Sequence, residues 1–129
     1  MTSPSVATTR KDQAESFLRL AASGQVRDAY RQHVGPGFRH HNPYFPGDAD
    51  SLRRAMEENA TQNPDKSLDV KLVLEDGDVV AVLSHVKQNP DDRGGAVVHI
   101  FRFEEDRIVE LWDVGQEIPE DSPNENGMF

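Results

Sequence analysis

The chain contains no cysteine, which excludes disulfides, thiolate nucleophiles and thiolate metal sites. It is also poor in positive charge: 14 Lys and Arg face 23 Asp and Glu, a formal net charge of −9. A surface of that sign repels a phosphate backbone, so sequence-independent nucleic-acid binding is not expected. No apolar run approaches the roughly 20 residues that a membrane-spanning helix needs, so no membrane partner is expected either. The opening Met1-Thr2-Ser3-Pro4-Ser5-Val6-Ala7-Thr8-Thr9 has neither the basic start nor the apolar stretch of a secretion signal. The expectation is a cytoplasmic protein whose residues 1–9 form a flexible N-terminus. With 129 residues, there is room for one core, hence one domain over residues 10–129 with an acidic tail from about residue 117.

The pattern of apolar residues then orders the chain. Ala14, Phe17, Leu18 and Ala21 recur at spacings of three and four, predicting a helix over residues 10–22. A second short helix follows to His33, and Gly35-Pro36-Gly37 interrupts the chain. Residues 38–41 read as a short strand stopped by Asn42-Pro43. Asp48 or Asp50 caps a third helix that Asn63-Pro64 closes. From residue 67 onward the pattern is that of sheet: 67–75, 78–87, 96–104 and 107–116, with a hairpin signal at Asp76-Gly77 and a tight turn at Glu105-Asp106. Helices first and a meander afterwards predict an α+β fold, a curved and mainly antiparallel sheet with the helices on its concave side. In residues 79–86 both strand parities are largely apolar, so the outer face should be covered too, most simply by a second copy in a homodimer.

Several ionisable side chains stand inside these apolar runs. His85 follows Val79-Val80-Ala81-Val82-Leu83-Ser84, His99 lies in Val97-Val98-His99-Ile100-Phe101, and Asp113 lies in Ile108-Val109-Glu110-Leu111-Trp112-Asp113-Val114. Burying such groups is costly unless they pair. If the strands are neighbours these groups meet, and His41, placed at a strand end by the Asn42-Pro43 turn, joins them. A shared pocket is one explanation and a satisfied structural network is the other. His40 should point away from His41, toward solvent or the opposite face. Trp112, Tyr44, Phe101 and Leu83 are the candidate walls of such a pocket, although buried aromatics more often serve only the core.

His41-Asn42-Pro43, Ser84-His85-Val86, the strand Val97 to Arg102 and the ending Ile108 to Val114 together resemble the SnoaL-like polyketide cyclase family of the nuclear transport factor two superfamily. The segment Asn124-Glu125-Asn126-Gly127-Met128-Phe129 is similar to the ending of bacterial proteins described as SnoaL-like aldol-condensation enzymes. The resemblance runs from about residue 10 to the C-terminus. It implies a cone-shaped half-barrel with a conical pocket closed by the helices. It also implies that Asp113, the aspartate of the Trp-Asp pair, is the acid and base. Leu111 stands where the family often has His, and His99 where it often has Asp.

The function expected is therefore proton transfer next to a carbonyl, an aldol-type cyclisation or an isomerisation of a small apolar carbonyl compound, without a cofactor. Asp113 would carry the proton while His41, His85 and His99 polarise the carbonyl or tune the aspartate. Two alternatives belong to other classes: a non-catalytic module holding a metabolite in the same pocket, and a metal-dependent enzyme with His41, His85, His99 and Asp113 as ligands. No local ligand spacing supports the metal. The tail carboxylates read as a solvated edge, and Gly127-Met128-Phe129 as an apolar terminus that docks, across the dimer or over the pocket mouth.

Overall fold

The computed structural model describes residues 9–129. The expected flexible segment 1–9 lies outside the described residues apart from Thr9, which caps the first helix, α1 (Arg10–Ala22). Thr9 Oγ1 accepts from the Asp12 backbone N–H at 3.0 Å, and the Asp12 carboxylate accepts from Thr9 N–H at 3.4 Å, so two orphan donors are satisfied reciprocally. The stripe predicted from spacing faces inward: Ala14, Phe17 and Leu18 are buried. Helix α2 (Val26–His33) buries Val26, Ala29, Tyr30 and His33. Asp48 caps α3 (Ala49–Gln62) by accepting from Ser51 N–H at 2.9 Å.

Five strands follow the order β1-β5-β4-β3-β2 in one curved, unclosed sheet. These are β1 (Val34–His40), β2 (Ser67–Asp76), β3 (Val79–Lys87), β4 (Gly95–Glu104) and β5 (Arg107–Glu117). Pairing is antiparallel throughout β2 to β5, and β1 joins β5 in parallel. The Gly35-Pro36-Gly37 break expected from sequence sits inside β1 as an irregularity, with the register slipping between Val34 and Arg39. An edge strand tolerates a proline there because the missing donor faces no partner.

Registration of β3, β4 and β5 fixes which side chains share a face. Val80 lies opposite Phe101 and Phe101 opposite Leu111, while Val82 lies opposite His99 and His99 opposite Asp113. This parity meets the helices: Phe17, Leu18, Val26, Tyr30 and Leu52 pack with Val80, Val82, Phe101, Phe103, Ile108 and Leu111 in one core. Phe17 touches Tyr30 and Phe101, with centroids 5.5 and 5.8 Å away. The other parity, including Ala81, Leu83, His85, Ile100 and Trp112, forms the outer face. Among the described residues no helix covers it, and Leu72, Leu74 and Val114 are 50, 59 and 62% exposed there.

Beyond β5 the chain folds back. Ile118 N–H donates to Gly94 O at 3.0 Å, and the Phe129 ring packs on His85 at 4.9 Å with Lys71 Nζ 5.3 Å from it. The apolar end therefore docks on the outer face near β2 and β3. It does not close the concave side, because His85 belongs to the parity turned away from the helices; with His85, Ile118 and Pro119 it walls a separate outer hollow of about 550 Å³.

Candidate functional site

The concave side is not filled completely. A cavity of about 180 Å³ remains between α1, α3 and the sheet, lined by Leu18, Ala21, Ala22, Met56, Lys66, Leu68, Val86, Val97, His99 and Asp113. Seven of these ten carry only hydrocarbon or thioether side chains. The three that do not, Lys66, His99 and Asp113, are its chemistry. Val86 and Val97 also border a wider hollow of about 480 Å³ at the loop 88–95.

His99 and Asp113 are register partners on β4 and β5, with Nε2 and Oδ1 3.8 Å apart. That separation favours attraction but exceeds a hydrogen bond. Asp113 Oδ2 accepts instead from Asn42 Nδ2 at 3.1 Å. The Asn42 amide is itself aimed by a turn, since its Oδ1 accepts from Tyr44 N–H at 3.0 Å. His99 is 9% exposed. Burial pushes its pKa below the ordinary histidine value; the Asp113 carboxylate opposes that shift and the Lys66 ammonium adds to it. The ring is accordingly neutral at pH 7, with one N–H and one free lone pair. Its Nδ1 is buried with no partner among the described residues, as is Ser84 Oγ on the inward parity of β3.

Lys66 precedes β2 and donates from Nζ to Asn59 Oδ1 at 2.7 Å. Asn59 Nδ2 donates in turn to Gln88 Oε1 at 3.2 Å. Burial lowers the Lys66 pKa, with Asp113 acting in the opposite sense. One wall thus presents an ammonium, and another a carboxylate beside a neutral imidazole.

The expected convergence of four residues is only half realised. His85 lies on the outer parity of β3, where its Nε2 donates to Arg93 O at 2.8 Å. His41 is outside as well, stacked on Trp112 with centroids 5.0 Å apart and bonded through Nε2 to Glu110 Oε2 at 2.6 Å. Neither reaches the cavity that holds His99 and Asp113, so the pocket imagined for all four, and the metal set built from them, is divided between two faces. Among the described residues no group of three His, Asp or Glu side chains is placed to hold a metal. The adjacent histidines are exchanged relative to expectation: His40 is the inward one, 5% exposed. Its Nε2 donates to Pro46 O at 2.7 Å and its Nδ1 accepts from Asn42 N–H at 3.1 Å. Of the expected walls, Trp112 and Leu83 face outward, Tyr44 is 85% exposed and Phe101 is core. Lys66, Asn42 and Ser84 were not anticipated. Asn42 stood next to a nominated residue, whereas a lone lysine before a strand gives no signal in sequence.

On the outer face Glu110 is nearly enclosed, accepting from Arg39 Nε at 3.0 Å, Arg102 Nε at 3.0 Å and His41. Hydrogen bonds from Arg39 and then His41 hold its carboxyl down at about 2. With a fourth bond from Arg39 Nη2 to Oε1 at 3.3 Å, its roughly four acceptor sites are engaged, which marks a structural cluster.

The SnoaL-like domain family matches residues 14–111, 98 of the 129 residues. The chain belongs to the SnoaL-like family. Solved structures agree on the fold. An NTF2-like protein of unknown function from Cytophaga hutchinsonii superposes with a TM-score of 0.70 at 15% identity, covering 86% of this chain and 93% of that one. An uncharacterized cystatin-fold protein from Novosphingobium aromaticivorans gives 0.69 at 16% identity, over 84% and 99% of the two chains. A protein described as a candidate polyketide cyclase, from Acidithiobacillus ferrooxidans, gives 0.67 at 15% identity, over 90% and 92%. At such identities the SnoaL-like likeness fixes architecture and leaves the reaction open. A comparison with curated proteins finds no match.

Proposed function

We propose that this SnoaL-like protein catalyses proton transfer next to the carbonyl of a small molecule bound in the concave cavity. The observation that carries this reading is the placement of Asp113 3.8 Å from a nine-tenths buried His99 on one wall of a largely apolar hollow. Asp113, fixed by the Asn42 amide, takes the proton from the carbon beside the carbonyl. The electron pair of that C–H bond becomes the C=C bond as the carbonyl π pair moves to oxygen, where the single N–H of His99 donates to the enolate. The enolate carbon then attacks a second carbonyl in an aldol closure, the proton held by Asp113 passing to the new alkoxide, or takes that proton back at another carbon in an isomerisation. Apolar walls keep water from competing for the enolate.

The test is deuterium uptake from heavy water by a 1,3-dicarbonyl probe. Wild-type protein accelerates uptake, and Asp113→Asn lowers the accelerated rate by about 100-fold or more with its unfolding transition unchanged. Equal exchange by the two proteins contradicts the assignment. Tight saturable binding of the probe with no exchange in wild type favours the non-catalytic module instead.

We also propose that a second copy covers the outer face. Its support is the exposed apolar row of Leu72, Leu74 and Val114 on a sheet face that no helix among the described residues occupies.

A further inference from the structure

The three polar groups of the cavity differ in how well the protein satisfies them. Lys66 Nζ has three donors, and its protein partner is the neutral Asn59 Oδ1 at 2.7 Å. That amide is held in place by Gln88, so the ammonium is positioned by a neutral partner and feels the Asp113 carboxylate only through space. Asp113 stands on β5, already hydrogen-bonded by Asn42, and His99 Nδ1 is buried with no partner among the described residues. An anion entering here is attracted to Lys66 and repelled by Asp113, which orients it end to end. The space is small. At about 180 Å³ it is close to the roughly 150 Å³ cavity that holds a benzene molecule, well below the several hundred Å³ of drug-sized pockets. Leu18, Ala21, Met56 and Leu68 provide a hydrocarbon lining for only a few carbons.

We propose that the cavity takes a small oxo acid, its carboxylate paired with Lys66 Nζ and its carbonyl segment lying between His99 and Asp113. This rests on the reading of the cavity as a carbonyl site and adds the charge and size of the ligand. Lys66 then sets both affinity and direction: with the carboxylate at the ammonium, the carbonyl end is the part that reaches His99 and Asp113.

The experiment uses 4-oxopentanoate and its neutral amide, 4-oxopentanamide, titrated calorimetrically into the whole protein at pH 7.5 and low salt. Wild-type protein binds the acid about tenfold more tightly than the amide, and added salt narrows the gap. Lys66→Met brings the two to within about twofold by weakening the acid alone, while Lys66→Arg, which keeps the charge, retains a preference for the acid. Thermal unfolding checks that each variant is folded. Equal affinities in wild type, a preference that survives in Lys66→Met, or no binding of either probe overturns the proposal. Because binding is read without turnover, a failure of Asp113→Asn to stop exchange counts against the proton-transfer reading and leaves this preference standing.

Discussion

His99 occupies a position that folding alone does not favour. A buried imidazole nitrogen without a partner forfeits its hydration, and such a group costs about 1–3 kcal/mol. Replacing it with an apolar side chain of similar size removes that cost. His99→Leu is therefore expected to leave the unfolding free energy at pH 7 unchanged or to raise it by up to about 1 kcal/mol, while slowing dicarbonyl exchange. The pH dependence has a definite sign. Burial lowers the folded-state pKa of His99 below 6.5, and burial followed by the Arg107 charge lowers that of His33. Below that value the unfolded chain takes up protons that the folded protein refuses. Stability is thus fully present above about pH 6.5 and declines as pH falls through the window beneath it. Urea unfolding across pH 5 to 8 should show a shallower decline in His99→Leu. A loss above about 2 kcal/mol at pH 7 would mean that the imidazole is satisfied after all. At this scale the sequence marked Asp113 and His99 correctly as ionisable groups in apolar runs. It could not separate them from His85, because both parities of β3 are apolar and periodicity alone does not say which one meets the helices.

Among the elements, the helices were the most legible. The spacing of Ala14, Phe17 and Leu18 and the cap at Asp48 are local signals legible in the chain, whereas Thr9, assigned to the flexible segment, is the cap that starts α1. The sheet strands were legible by composition and turn chemistry. Their register was not, since it depends on residues far apart in the chain. The β3–β4 connection shows what holds that register. Gly94 has φ +80°, and a Cβ placed there would stand 2.3 Å from Val86 O. Its N–H donates to Asp92 Oδ1 at 3.0 Å, and its carbonyl accepts from Ile118 N–H. Gly94→Ala combines left-handed strain with a backbone clash and is expected to cost more than about 2 kcal/mol. Since the change also disturbs the site where the tail turns back, amide exchange should quicken in residues 88–95 and around Ile118. A variant as stable as wild type would contradict this assignment of strain.

For the whole molecule, one sheet separates two environments. Its concave side joins the helices around a core and leaves the small cavity with Lys66, His99 and Asp113. Its outer side carries Glu110 among Arg39, Arg102 and His41, and beside them an apolar surface. A covered outer face predicts a species of twice 14.4 kDa in sedimentation equilibrium. Leu74→Glu, which puts a charge into that exposed apolar face, should shift it to the monomer. A wild-type monomer at micromolar concentration would remove that proposal. The two-sided apolar pattern of β3 made this surface legible in sequence, but the same pattern drew His41 and His85 into a pocket they do not reach.

The division between the faces can be read in a single assay. Deuterium uptake by the 1,3-dicarbonyl probe is measured for wild type, Asp113→Asn, His41→Gln and His85→Gln at equal concentration. Chemistry confined to the concave cavity predicts a fall of about 100-fold or more for Asp113→Asn and rates within about twofold of wild type for the two outer histidines. Exchange that survives in Asp113→Asn and collapses in either histidine variant would place the chemistry on the other side of the sheet.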